Sequence, residues 1–106
     1  MYASIRSYRI NDSQVDDLMH RIDTEFADSV QDQPGFISYQ AVYTGGGTLC
    51  TVTVCRDEAT CDRTNEMAAM FVRESLSDME IERTDVKGGE VMVSRAASEV
   101  LQLVHH

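Results

Sequence analysis

The stretch Gln33-Pro34-Gly35-Phe36-Ile37-Ser38-Tyr39 decides the fold. Pro34 is the only proline in the chain. It cannot continue a helix, and it pushes Gln33 toward extended geometry. Gly35 then permits a sharp turn, and Phe36 opens a run of strand formers. The stretch is a helix stop followed at once by a strand. Before it, Val15, Leu18, Met19, Ile22, Phe26 and Val30 recur at three- and four-residue steps. That spacing predicts one apolar stripe on a helix of about five turns. Asn11, Asp12 and Ser13 offer N-cap oxygens, and Asp16 and Asp17 place negative charge in the first turn. His20 falls off the stripe and reads as a surface residue. Further upstream, Tyr2–Ile10 alternates with period two. Ala3, Ile5 and Ser7 share one face, and Ser4, Arg6 and Tyr8 the other.

Downstream of Pro34, Ile37, Tyr39, Ala41 and Tyr43 are expected to share a strand face. Thr44-Gly45-Gly46-Gly47-Thr48 leads into Leu49-Cys50-Thr51-Val52-Thr53-Val54-Cys55. Two strand patterns around a short glycine loop read as a β-hairpin. A phosphate loop must lead into a helix N-terminus, and this loop joins two strands. Asp57 caps a second helix, whose stripe is Met67, Ala68, Phe71, Val72, Leu76 and Met79. The polar run Asp62-Arg63-Thr64-Asn65-Glu66 ahead of that stripe predicts a kink or a helix in two pieces. Ile81–Asp85 is polar, Val86-Lys87-Gly88-Gly89 punctuates it, and Glu90–Arg95 reads as the last strand.

The resulting order of strand, helix, strand, strand, helix, strand is the ferredoxin-like split βαβ arrangement. It places two helices on one face of a four-stranded antiparallel sheet, an α+β fold. The expected domain is 1–95, with 96–106 as a C-terminal tail. The strands carry apolar residues on both faces, as in Cys50, Val52 and Val54 against Leu49 and Cys55. A sheet with one wet face alternates more cleanly. The second face is therefore expected to be covered, most simply by a second copy of the sheet in a twofold homodimer.

Composition narrows the partners. The 106 residues carry 18 acidic and 9 basic side chains, a net charge of −9, with Lys87 the only lysine. Such a surface repels phosphate, so neither nucleic acid nor an anionic membrane is an expected partner. It reads first as a solubility-promoting surface, with adaptation to a salty cytoplasm as the alternative. No apolar run approaches the ~20 residues of a membrane span, and the N-terminus shows no signal-peptide pattern. A cytoplasmic protein is the expectation. Cys50, Cys55 and Cys61 lack zinc-site spacing, and Cys50 and Cys55 point to opposite strand faces. They read as small buried hydrophobes rather than a disulfide framework. No metal or cofactor is expected.

The chain resembles the antibiotic-biosynthesis-monooxygenase-like group, the dimeric α/β-barrel branch of the ferredoxin-like fold. The resemblance runs over residues 1–95. Pro34-Gly35-Phe36 with Tyr39 after the first helix, the hairpin, Asp57-Glu58-Ala59 opening the second helix and a closing Glu90-Val91-Met92-Val93 carry it. It implies a homodimer packed through its sheet faces and a pocket between each sheet and its helices. It further implies a small aromatic molecule bound there or oxidised without a cofactor. The alternative is a non-catalytic ligand-binding or stress-associated domain. The tryptophan common in the enzymes is absent; Val54, Cys55 and Arg56 occupy that stretch. The haem-degrading members use an asparagine on the first strand and a histidine on the second helix. Here stand Ser4, Arg6 and Ser7, and no histidine. For a phenol-oxidising site the residue types on offer are Tyr39, Tyr43, Asn65 and Arg83.

Overall fold

A computed structural model describes residues 1–97. Its strands are β1 (Tyr2–Ile10), β2 (Phe36–Gly45), β3 (Thr48–Cys55) and β4 (Ile81–Glu90). They form one antiparallel sheet in the order β2-β3-β1-β4. Between β1 and β2 runs a first helix in four consecutive parts. These are a 3-10 turn (Asp12–Gln14), α1 (Val15–Arg21), a π-helical stretch (Ile22–Ala27) and α2 (Asp28–Gln31). Between β3 and β4 lies α3 (Glu58–Ser75). This is the expected ferredoxin-like βαββαβ fold.

Local chemistry sets the helix boundaries. Asn11 caps the first helix, accepting from the Ser13 amide at 2.9 Å. Asp57 caps α3, accepting from the Thr60 amide at 2.8 Å. Backbone hydrogen bonds and Thr60 hold the Pro34-Gly35 turn. The Phe36 amide donates to the Gln33 carbonyl at 3.0 Å, and the Arg56 amide donates to the Gly35 carbonyl at 2.8 Å. Gly35 has φ +91°, and a Cβ there would sit 2.8 Å from Thr60 Oγ1. Only glycine meets both demands without strain.

The core lies between the helices and one sheet face. Leu18, Ile22, Phe26 and Val30 from the first helix meet Tyr8, Ile10 and Leu49 from the sheet and Ala68 and Leu76 from the α3 side. The four first-helix residues repeat every fourth position. An α-helix of about 3.6 residues per turn would let such a row drift roughly 40° per step. The wider π-helical stretch around Ile22 and Phe26 takes up that drift and keeps all four buried.

Three expectations are corrected. The last strand is Ile81–Glu90, not Glu90–Arg95. It pairs along β1 from Ile10↔Ile81 to Tyr2↔Glu90, with an irregularity between Ser7 and Tyr8. As an edge strand exposed along nearly its whole length, it shows no apolar alternation, so its sequence conceals it. Val91 only extends the ladder by one bond, its amide donating to the Met1 carbonyl at 3.0 Å. Secondly, α3 is a single helix. Its polar run does not break it: the buried Thr64 hydroxyl donates to the Cys61 carbonyl of the same helix at 2.7 Å, and Asn65 accepts from Ser4 and Arg6 of the sheet. Thirdly, Ile37 does not share a face with Tyr39. A bulge between Phe36 and Ser38 puts Phe36, Tyr39 and Ala41 against the core and leaves Ile37 exposed. The expected apolar tail residues Val100, Leu101, Leu103 and Val104, and His105 and His106, lie outside the described residues.

Candidate functional site

The helix-covered sheet face changes character along its length. At one end Tyr8 and Ile10 of β1 neighbour Leu49 of β3. At the other, Ser4 and Arg6 of β1 stand opposite Thr53 and Thr51 of β3. All four of these polar residues are buried, and Arg6 is 0% exposed. An unpaired guanidinium buried to this degree is among the costliest groups a small domain can hold.

Arg6 is held by neutral oxygens. Its Nε donates to Thr51 Oγ1 at 3.1 Å, Nη2 to Thr53 Oγ1 at 2.8 Å and Nη1 to Asn65 Oδ1 at 3.0 Å. Ser4 Oγ donates to the same Asn65 oxygen at 2.6 Å. The guanidinium carbon lies 5.8 Å from the centroid of the Phe26 ring, a cation–π contact. Among the described residues, no carboxylate pairs with Arg6. A guanidinium has five N–H donors, and these three bonds engage three of them. The charge is solvated by hydroxyls, an amide and a ring face, but it is not neutralised.

Tyr39 joins the cluster. Burial raises its hydroxyl pKa far above the ordinary phenol value, although Arg6 pulls the other way. It is therefore a neutral hydrogen-bond donor at any physiological pH. Phe26 stacks on Tyr39 edge-on at 5.5 Å between centroids and on Phe71 at 5.4 Å. Tyr39, Phe26 and Thr51 also line a small cavity of about 20 Å³, closed by Tyr8, Ile22, Leu49, Phe71 and others. That is room for about one water and not for an organic molecule. A second, open groove of about 200 Å³ lies between the first helix and α3, and Phe26 and Phe71 line it too.

The four residues singled out from sequence separate. Tyr39 and Asn65 come together around Arg6. Arg83 is exposed and donates to the Asn65 backbone carbonyl at 3.2 Å, so it braces α3 from outside. Tyr43 is elsewhere, exposed, donating to Asp12 Oδ1 at 2.7 Å. The same Asp12 oxygen accepts from the Gly47 amide at 2.9 Å, fastening the hairpin loop to the start of the first helix. The residue overlooked in sequence is Arg6. A signal was present, since Arg6 is in phase with Tyr8 and Ile10. Both faces of β1 are mixed, so the phase alone does not say which one the helices cover.

Cys55 and Cys61 neighbour this polar end. Both are fully buried. Burial pushes the Cys55 thiol up to about 12 and also raises Cys61. Both are inert thiols by that measure. Cys61 Sγ donates to the Tyr2 carbonyl at 3.4 Å. His20 is exposed. Among the described residues, no cluster of three His, Cys, Asp or Glu could hold a metal, and no helix is long and apolar enough to cross a membrane.

No protein-family model matches the sequence, and no curated protein matches it. Solved structures do. A dimeric ferredoxin-like protein from an uncultured marine organism superposes with a TM-score of 0.70 at 9% identity, covering 91% of this chain and 98% of that one. MhuD from Mycobacterium tuberculosis, a haem degrader with two haems bound in its active site, gives 0.66 at 16%, over 91% and 100%. SnoaB from Streptomyces nogalater, a cofactor-independent oxygenase, gives 0.61 at 10%, over 88% and 94%. The fold is thus the one implied by the resemblance to antibiotic-biosynthesis monooxygenases.

Proposed function

We propose that this protein is a homodimeric α/β-barrel domain that takes up a small aromatic molecule between sheet and helices and stabilises an anionic oxygen on it with Arg6 and Tyr39. The observation that carries this reading is the fully buried Arg6, beside which no carboxylate stands among the described residues. A cation kept dry and un-neutralised stabilises charge that arrives or develops next to it. Ser4, Thr51, Thr53 and Asn65 position the guanidinium. Tyr39 supplies a protonated hydroxyl.

In its catalytic form the reading is cofactor-free oxidation of a phenol. Arg6 favours the phenolate over the phenol. A dihydroxyanthracene phenolate, its first proton left to solvent, gives two electrons to dioxygen and loses its second hydroxyl proton, yielding the quinone and, with both protons, hydrogen peroxide. A non-catalytic ligand-binding domain is the second reading, and one observation favours it. Tyr39 is held protonated, and among the described residues no histidine adjoins the cluster to take the phenol's proton.

Oxygen uptake with dihydroxyanthracene-type phenols separates the two. Consumption above the buffer rate that falls at least about tenfold in Arg6→Met supports the enzyme, since one such electrostatic donor is commonly worth that much. Uptake equal to buffer across the series, with binding retained, leaves the ligand-binding domain.

A further inference from the structure

We propose that the ligand reaches Arg6 through the groove between the first helix and α3, and that this route admits an aromatic molecule with one negative charge while rejecting one with two. The inference rests on the Arg6 reading above and names its substrate class. The groove and the inner cavity are neighbours. The groove of about 200 Å³ is floored by Phe26 and Phe71, and the same two rings wall the cavity. Their centroids are 5.4 Å apart, and Phe26 is the ring that Arg6 faces. Phe26 and Phe71 thus stand between the open groove and an inner cavity whose lining includes Thr51, a hydrogen-bond partner of Arg6.

Phe26 also sits in the π-helical stretch, where the bonding pattern is wider than in an α-helix and such stretches often accompany functional sites. Displacing Phe26 and Phe71 would join the two spaces and lay the ligand's ring over Met67 and Met70, whose flexible side chains adapt to flat apolar surfaces.

The charge pattern along this path runs from negative outside to positive inside. Glu25 and Glu74 flank the groove. The cation beside it, Arg21, pairs with Glu25 at 3.7 Å and with Asp78 at 3.1 Å, and it also donates to the Ser75 carbonyl. Glu25 and Glu74 thus leave the groove wall acidic, with the nearby Arg21 already engaged by Glu25 and Asp78, and the inner cavity is lined by Tyr39 and by Thr51, a hydrogen-bond partner of Arg6. A molecule with a single anionic oxygen can bury that oxygen at Arg6 and leave a neutral ring at the mouth. A second carboxylate on the far edge of the ring would end between Glu25 and Glu74, where like charges repel.

The test uses 2-naphthoate and naphthalene-2,6-dicarboxylate, titrated by calorimetry at low ionic strength. Low salt keeps the carboxylates at the mouth unscreened. We expect 2-naphthoate to bind and Arg6→Met to abolish that binding. The dicarboxylate should bind about tenfold or more weakly, and the Glu25→Gln/Glu74→Gln double variant should close most of that gap. Stopped-flow association of 2-naphthoate should be faster in Phe71→Ala. Equal affinity for the two probes, or a double variant without effect, overturns the charge selection while leaving the Arg6 reading intact. An unchanged association rate in Phe71→Ala overturns the route. Absence of Arg6-dependent binding by either probe overturns both readings. Circular dichroism of each variant identifies any loss of signal caused by misfolding.

Discussion

At the residue scale the molecule turns on Arg6. Most of its neighbours follow ordinary rules, with apolar side chains inward and acidic ones outward. Arg6 breaks the rule, and four neutral residues are arranged to tolerate it. Burying a cation in this way costs stability that its neutral partners offset only in part. Arg6→Met is expected to destabilise the fold by only about 1–2 kcal/mol, because the buried Thr51, Thr53 and Asn65 oxygens lose a donor while the removed desolvation cost of the guanidinium offsets part of that. Urea denaturation measures this. A loss of several kcal/mol in that experiment would make Arg6 a structural strut instead. Sequence exposed the types Tyr39 and Asn65 but not their meeting point. That point exists only because β1 and β3 align Arg6 with Thr51 and α3 brings Asn65 across the top.

At the element scale, the clearly legible segments are those with local chemistry at their ends. The Asn11 and Asp57 caps and the Pro34-Gly35 stop are such cases. The strand β4 was illegible because it is an exposed edge. Its place comes from pairing with β1, from Ile10↔Ile81 to Tyr2↔Glu90, and not from a pattern of its own. The unbroken α3 was hidden for the opposite reason. Two members of its polar run point inward, Thr64 buried and Asn65 bonded to Ser4 and Arg6 of the sheet, so hydropathy reads as a break what is a continuous helix. The Asp57 cap carries a pH prediction. Its carboxyl is held below its ordinary 3.8, first by the Thr60 amide hydrogen bond. A depressed folded value means the stabilisation is complete above the unfolded value and is lost as pH falls through the folded one. Asp57→Ala should thus lower the melting temperature near neutrality. Its stability curve should converge on that of wild type as pH drops below about 4. Thermal melts across that range check it, and parallel curves down to the acid limit would contradict it.

At the scale of the whole molecule, the notable asymmetry is between the two sheet faces. The helix-covered face includes Ser4, Arg6, Thr51 and Thr53. The opposite face carries Ala3 and Ile5 of β1, Cys50, Val52 and Val54 of β3, and Val42 of β2, brought side by side by the strand register. Ile5 is 43% and Val42 48% exposed. A contiguous apolar face of this kind on a chain with net charge −9 asks for a cover. In the homodimer proposed above, a second copy of the same face would supply it. Val52→Arg places a charge at the centre of that face, and in a twofold pair it would meet its own copy. Light scattering should show wild type as a dimer at micromolar concentration and Val52→Arg as a monomer. A dimer in both would move the interface elsewhere.

Local chemistry suffices for the first five elements, the helix caps and the stop at Pro34-Gly35, and so for the βαββα part of the topology. Each of these rests on chemistry confined to a few consecutive residues. Tertiary structure alone decided which face of the sheet the helices cover, where the last strand lies and which polar side chains meet. Those outcomes depend on contacts between residues forty to seventy positions apart, such as Arg6 with Thr51 and Asn65. A buried guanidinium has no local signature. It becomes visible only when the chain has closed over it.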